Sequence, residues 1–180
     1  KMESPHRLAS TTKSFKDAPL RITIFSDFQC PACKQLALSI EKIIPRYKKS
    51  LNIQYMFYPL DMNCNPSIKR PFHNYACSAA FASSCLSNEK FTEGHDEIFE
   101  HQDKIDGQWI KNFAKKFKVT GCYQKKEIKE KVVEMIKQAD EYNIKSTPTL
   151  LINGRKIEGV LMPNQLSIIL DNLLKKKGKS

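Results

Sequence analysis

No apolar run in this chain approaches the roughly 20 residues needed to cross a bilayer, and the opening Lys1-Met2-Glu3-Ser4-Pro5 has no apolar core of the secretory kind. The chain is therefore expected to be cytosolic, a matured exported form, or a soluble piece of something larger. It has no internal repeat, so a repeat architecture is not expected. Acidic residues are outnumbered: 19 Asp and Glu stand against 30 Lys and Arg, a net charge of +11. Such a balance invites a nucleic-acid reading. Yet no zinc-finger, helix-turn-helix or RNA-recognition pattern accompanies the basic clusters at 111–118, 125–131 and 175–179, and acidic residues interleave the middle one. Solvated helix faces and a frayed tail explain the charge, and no nucleic-acid partner is expected.

What the chain does have is six cysteines in 180 residues: Cys30, Cys33, Cys64, Cys77, Cys85 and Cys122. The first two form a Cys-X-X-Cys at a strand-to-helix junction. Leu20, Ile22 and Ile24 alternate before it, as in a half-buried strand. Leu36, Ala37, Ile40, Ile43 and Ile44 recur after it at helical spacing. Cys30 then falls at the helix start, where unpaired backbone N–H groups and the helix dipole favour an anion. A thiolate is an anion, so Cys30 is expected to ionise below the ordinary thiol range of about 8.5 and to be reachable by solvent. Pro31 suits the first helical position because it has no N–H to lose. Cys33, one turn on, closes a small ring with Cys30, and the pair shuttles between dithiol and disulfide. A zinc site competes with this reading. It needs four ligands, and His73, Cys77 and Cys85 do not make a second close-spaced pair. Neither a metal nor a cofactor is expected.

The remaining four cysteines suffice for two structural bridges, which persist in oxidising compartments. If Cys77 and Cys85 lie on one helix, the rise between them is about 12 Å. A disulfide needs Cα atoms about 4.4–6.8 Å apart. That excludes one of three pairings and leaves two open: 64–77 with 85–122, and 64–85 with 77–122.

Length and composition suggest one domain. Residues 1–18 read as a polar arm or linker. A strand over 20–25, a helix ending near Pro45 and a strand over 52–58 make a βαβ unit. The segment 60–66 is a loop by composition. A small-residue helix is expected from His73 to Leu86, followed by helices over about 89–101, 108–117 and 124–142. Strands at 149–152 and 155–158 flank Asn153-Gly154, a strong hairpin turn signal, and a last helix spans about 163–175. The expected division is a core of 19–60 and 143–175, a helical insertion at 61–142 and a basic tail at 176–180.

This order, with Cys-X-X-Cys opening the first helix and Ser146-Thr147-Pro148-Thr149 opening the third strand, resembles the thioredoxin fold, an α/β class. The helical insertion and Phe28-Gln29-Cys30-Pro31-Ala32-Cys33 resemble its DsbA-like branch of thiol-disulfide oxidoreductases. That resemblance implies Cys30 as the attacking sulfur and Cys33 as the resolving one, with Pro31 and Ala32 tuning the thiolate. It implies a cis Pro148 beside the pair and a Thr147 backbone that orients an extended peptide. Cysteine-containing protein substrates and an extracytoplasmic location, periplasm or cell envelope, follow from it. The stretch from Pro59 to Asn65, with His73 and Cys77, resembles the soluble thioredoxin-like partners of vitamin K epoxide reductase-type proteins. A membrane redox partner of that type or of the DsbB type is thereby implied. So are the bridges Cys64–Cys77 and Cys85–Cys122.

Two residues depart from the strongest oxidases of that branch. Ala32 brings no imidazole between the cysteines, and Thr147 stands where those members carry Val, which leaves the direction of electron flow open. Asp27 is expected as a local base or a helix-capping carboxylate. His73, His95 and His101 are expected mainly as structural or solvated side chains, and Trp109 as core of the insertion. The rival function is a non-catalytic thioredoxin-fold binding or chaperone module with structural disulfides.

Overall fold

In the computed structural model, which describes residues 3–11 and 14–177, a mixed five-stranded sheet carries helices on its faces. Its strands are β1 (Arg7–Ala9), β2 (Leu20–Ser26), β3 (Leu51–Phe57), β4 (Thr149–Ile152) and β5 (Arg155–Glu158), in the spatial order β1-β3-β2-β4-β5. β2 and β3 run parallel, joined through helix α1 (Pro31–Tyr47), while β1, β4 and β5 are antiparallel to their neighbours. Every residue of β3 is buried, as a central strand covered on both faces must be. The edge strand β5 is largely exposed.

The polar segment expected as an arm contributes a strand. Arg7–Ala9 pairs with β3, the Tyr55 N–H donates to the His6 carbonyl at 3.0 Å, and Ser4 and His6 are buried. Three residues without apolar alternation carry no strand signal of their own; the free edge of β3 supplies the order.

Between β3 and β4 lie α2 (Ala76–Ser84), α3 (Asn88–Glu100), α4 (Gly107–Lys116) and α5 (Lys126–Glu141). α2 is shorter than the expected 73–86, because residues 73–75 form turns ahead of it. Ala76, Ala79, Ala80 and Ala82 are all buried, and their small side chains let neighbouring helices approach closely. Trp109, expected in the core, is half-buried, with its ring 5.4 Å from that of Phe113.

The final helix, α6 (Pro163–Lys177), packs on α1. The Tyr47 hydroxyl donates to Asp171 Oδ1 at 2.7 Å, and Arg46 pairs with Asp171 at 2.6 Å. The helix runs two residues into the expected basic tail, and 178–180 lie outside the described residues. In the β4–β5 turn, Asn153 and Gly154 both take positive φ, 47° and 85°. Such angles suit the twist of a two-residue hairpin.

Candidate active site

β2 ends at Ser26, and four residues later Cys30 caps α1. Its backbone is extended, and its sulfur accepts the Cys33 N–H at 3.4 Å, a donor shared with the Cys30 carbonyl at 3.0 Å. Pro31 stands at the first helical position, exposed, with Ala32 half-buried behind it. The Thr147–Pro148 peptide is cis, and the Thr147 carbonyl lies 3.5 Å from Cys30 Sγ, positioned to accept from the thiol. Residues 117 apart in sequence therefore meet at one sulfur.

The two cysteines differ sharply. Cys30 ionises well below the ordinary value of 9.0, at about 6. The foremost cause is hydrogen bonding from the Cys33 thiol. Burial opposes it, while Thr147 and the Cys33 N–H favour the anion and the Asp27 carboxylate repels it. Cys33 is pushed well above 9.0, chiefly by burial and then by its hydrogen bond to Cys30 and that neighbour's charge. One sulfur is held as an anion and the other as a thiol. Against expectation, Cys30 is only 6% exposed.

Asp27 is not the helix cap, a place Cys30 takes. Its side chain is fully buried, with Oδ1 accepting the Gln29 N–H at 2.6 Å and Oδ2 the Leu60 N–H at 2.6 Å. Oδ2 also meets His73 Nδ1 at 2.8 Å. His73, expected on a helix, thus reaches the site from the loop between β3 and α2. The Cys64–Cys77 disulfide brackets that loop, and Cys85–Cys122 joins the end of α2 to the turn before α5. His95 is buried away from solvent, edge-on to Tyr55 and Phe99, and His101 is half-buried, its ring 6.1 Å from Trp109.

Gln102 escaped the sequence reading. From the turn after α3 its Nε2 donates to the carbonyls of Phe28 at 2.7 Å and Cys30 at 2.9 Å, clamping the junction that carries the cysteines. No local pattern marks it, because its partners are more than 70 residues away.

A strand–helix junction carrying Cys30 and Cys33, faced by a cis proline and set in a sheet with a helical insertion, defines a thioredoxin fold of DsbA-like architecture. The chain belongs to the thioredoxin family, whose model matches residues 15–172. Similar solved structures include alpha-DsbA1 of Wolbachia pipientis, with a TM-score of 0.78 and 16% identity over 97% of this chain and 94% of that one. The catalytic domain of Proteus mirabilis ScsC is another, with a TM-score of 0.74 and 20% identity over 94% of this chain and 89% of the other. Among curated proteins, the probable disulfide bond formation protein D of Bacillus cereus is 26% identical, covering 77% of this chain and 67% of its own length. A Na(+)/H(+) antiporter NhaA 1 of Mycolicibacterium gilvum is 25% identical over 79% of this chain, which spans only 23% of that protein.

Proposed function

We propose that the protein exchanges disulfides with cysteine-containing protein substrates through Cys30 and Cys33, in support of oxidative folding outside the cytoplasm. The observation that carries this reading is the split between the two sulfurs: Cys30 ionises at about 6, while Cys33 is held as a thiol. In the oxidising direction a substrate thiolate attacks Cys30 of the Cys30–Cys33 disulfide, the bond to Cys33 breaks, and Cys33 leaves and takes up a proton. A second substrate thiolate then displaces Cys30 from the mixed disulfide. The substrate leaves oxidised, and the protein keeps two electrons on its two sulfurs. In the reducing direction Cys30 attacks a substrate disulfide and Cys33 resolves the intermediate. Thr147 orients the peptide, its carbonyl already beside the sulfur under attack. Pro31 and Ala32 tune the thiolate by bringing the Cys33 N–H, shared with the Cys30 carbonyl, within 3.4 Å of the sulfur.

The export reading is supported by the Cys64–Cys77 and Cys85–Cys122 bridges, of a kind that persists where the surroundings are oxidising. It agrees with a neighbouring structure of a periplasmic thioredoxin-like protein from Salmonella enterica serovar Typhimurium. A membrane oxidoreductase of the vitamin K epoxide reductase or DsbB type is the proposed redox partner. Among the described residues no helix is long and apolar enough to cross a membrane, so that partner is a separate polypeptide or lies beyond this stretch.

The test is insulin reduction and refolding of a scrambled disulfide substrate. Cys30→Ala should abolish turnover in both, and Cys33→Ala should accumulate the mixed disulfide. Full turnover without Cys30 overturns the proposal. A potential below about −300 mV for the pair would favour a non-catalytic module with a structural bridge.

A further inference from the structure

We propose that His73 is a positioning residue for Cys30: seated on Asp27, its ring supplies from the loop ahead of α2 the imidazole that Pro31 and Ala32 do not. This deepens the exchange reading and rests on Cys30 being the exchanging sulfur.

The Asp27 carboxylate and the Cys30 thiolate are in conflict. Asp27 has no exposed side-chain surface and stands close enough to Cys30 to disfavour its anion. Two negative groups in a shielded site raise each other's cost of ionisation. His73 resolves the conflict, with Nδ1 at 2.8 Å from Asp27 Oδ2. Once protonated, the ring and the carboxylate cancel locally, and the repulsion on the Cys30 thiolate is relieved. The charges of Asp27, Cys30 and Asp61 all favour the cation. Burial alone would lower the imidazole's affinity for its proton, yet hydrogen bonding to Asp27 and the charges of Asp27, Cys30 and Asp61 leave it raised above 6.5. The other ionisable groups around Cys30 do not compete. Cys33 is held as a thiol, and burial holds the Tyr55 phenol neutral.

The ring is also held in place. The His73 N–H donates to the Leu60 carbonyl at 3.3 Å, and Tyr75 N–H donates to Gln29 Oε1 at 2.7 Å, each tying the loop to the junction. Cys77 N–H donates to Asp61 Oδ2 at 2.9 Å, and the Cys64–Cys77 bridge closes the loop around the ring. The Phe72 ring stacks on His73 at 4.0 Å with a 17° tilt, a face that also favours a cation. A solvated surface histidine has no need of such framing.

Influence of His73 on Cys30 requires the reverse as well, since two coupled groups perturb each other's titration. In the wild-type chain, His73 followed by nuclear magnetic resonance should titrate at higher pH in the dithiol form than in the disulfide form, which carries no thiolate. Equal midpoints overturn the proposal, and this measurement needs no variant to fold. In the reduced chain, His73→Gln should raise the midpoint of Cys30 alkylation by about one pH unit. That slows alkylation at pH 6 about fivefold. His73→Lys keeps a cation and should hold the midpoint near the wild-type value. An unmoved midpoint in His73→Gln, or an equal rise in both variants, overturns the proposal. Cys30→Ala, assayed alongside, separates the two failures. Retained turnover there sinks the exchange reading, whereas lost turnover with an unmoved His73→Gln midpoint sinks only the role of His73.

Discussion

Cys30 and Cys33 are the same residue type on the same turn, and their surroundings pull them in opposite directions. The Cys33 thiol and N–H both donate towards Cys30, whereas Cys33 lies deeper, 2% exposed. The consequence for stability has a definite sign. A thiol whose ionisation is lowered on folding stabilises the reduced fold fully above its ordinary value of 9.0, and the contribution is lost as pH falls through about 6. The disulfide form lacks it. The gap in urea midpoint between reduced and oxidised chains should therefore shift in favour of the reduced form from pH 6 to pH 9. A gap independent of pH would show that folding leaves the Cys30 thiol unperturbed. A stabilised dithiol makes a cysteine pair a better oxidant.

Among elements, β1 is preceded by a buried histidine, His6. His6 sits between the rings of Phe57 and Phe91, with centroids at 5.1 and 4.6 Å, and its buried Nδ1 has no hydrogen-bond partner among the described residues. Burial, with Arg7 and Lys131 adding to it, lowers its titration to about 4. A histidine lowered on folding leaves stability intact above 6.5 and removes it as pH falls from 6.5 towards 4, to the extent of about 3 kcal/mol. The strand should loosen over that interval, seen as faster exchange of the Tyr55 amide, which donates to the His6 carbonyl. His6→Phe, with a ring suited to the same aromatic slot, should remove the pH dependence. Persistence of the dependence in that variant would place its origin elsewhere. β1 was illegible in the sequence because its order comes from pairing with β3. The β4–β5 hairpin was legible because Asn153-Gly154 encodes its turn within two residues. The structure adds a second task to that turn, since Asn153 Oδ1 accepts the Arg21 N–H of β2 at 2.7 Å.

At the scale of the whole molecule, the helical insertion is bound to the core by aromatic packing and closed on itself by Cys85–Cys122. That bridge spans 37 residues, and the loop-entropy model assigns it about 3–4 kcal/mol. Replacing both cysteines by serine should lower unfolding free energy by that order, measured by urea denaturation, while Cys30 still alkylates at low pH. A loss far below this would mean that helix packing alone confines the unfolded insertion. The insertion also reaches the junction through Gln102, so α3 and the catalytic helix are positioned together.

Short-range features were settled by the order of residues alone: the strand–Cys-X-X-Cys–helix junction, the hairpin, and the small-residue helix that has to be buried. Each follows from steric and polar preferences acting within one turn or one strand. The contacts that decide chemistry span longer separations, 46 residues from Asp27 to His73 and 117 from Cys30 to Thr147. Only the folded sheet could join them. Burial, too, belongs to the tertiary structure. Whether a carboxylate is a solvated cap or a buried partner, and whether two like thiols share one acidity or take two, depends on what packs over them.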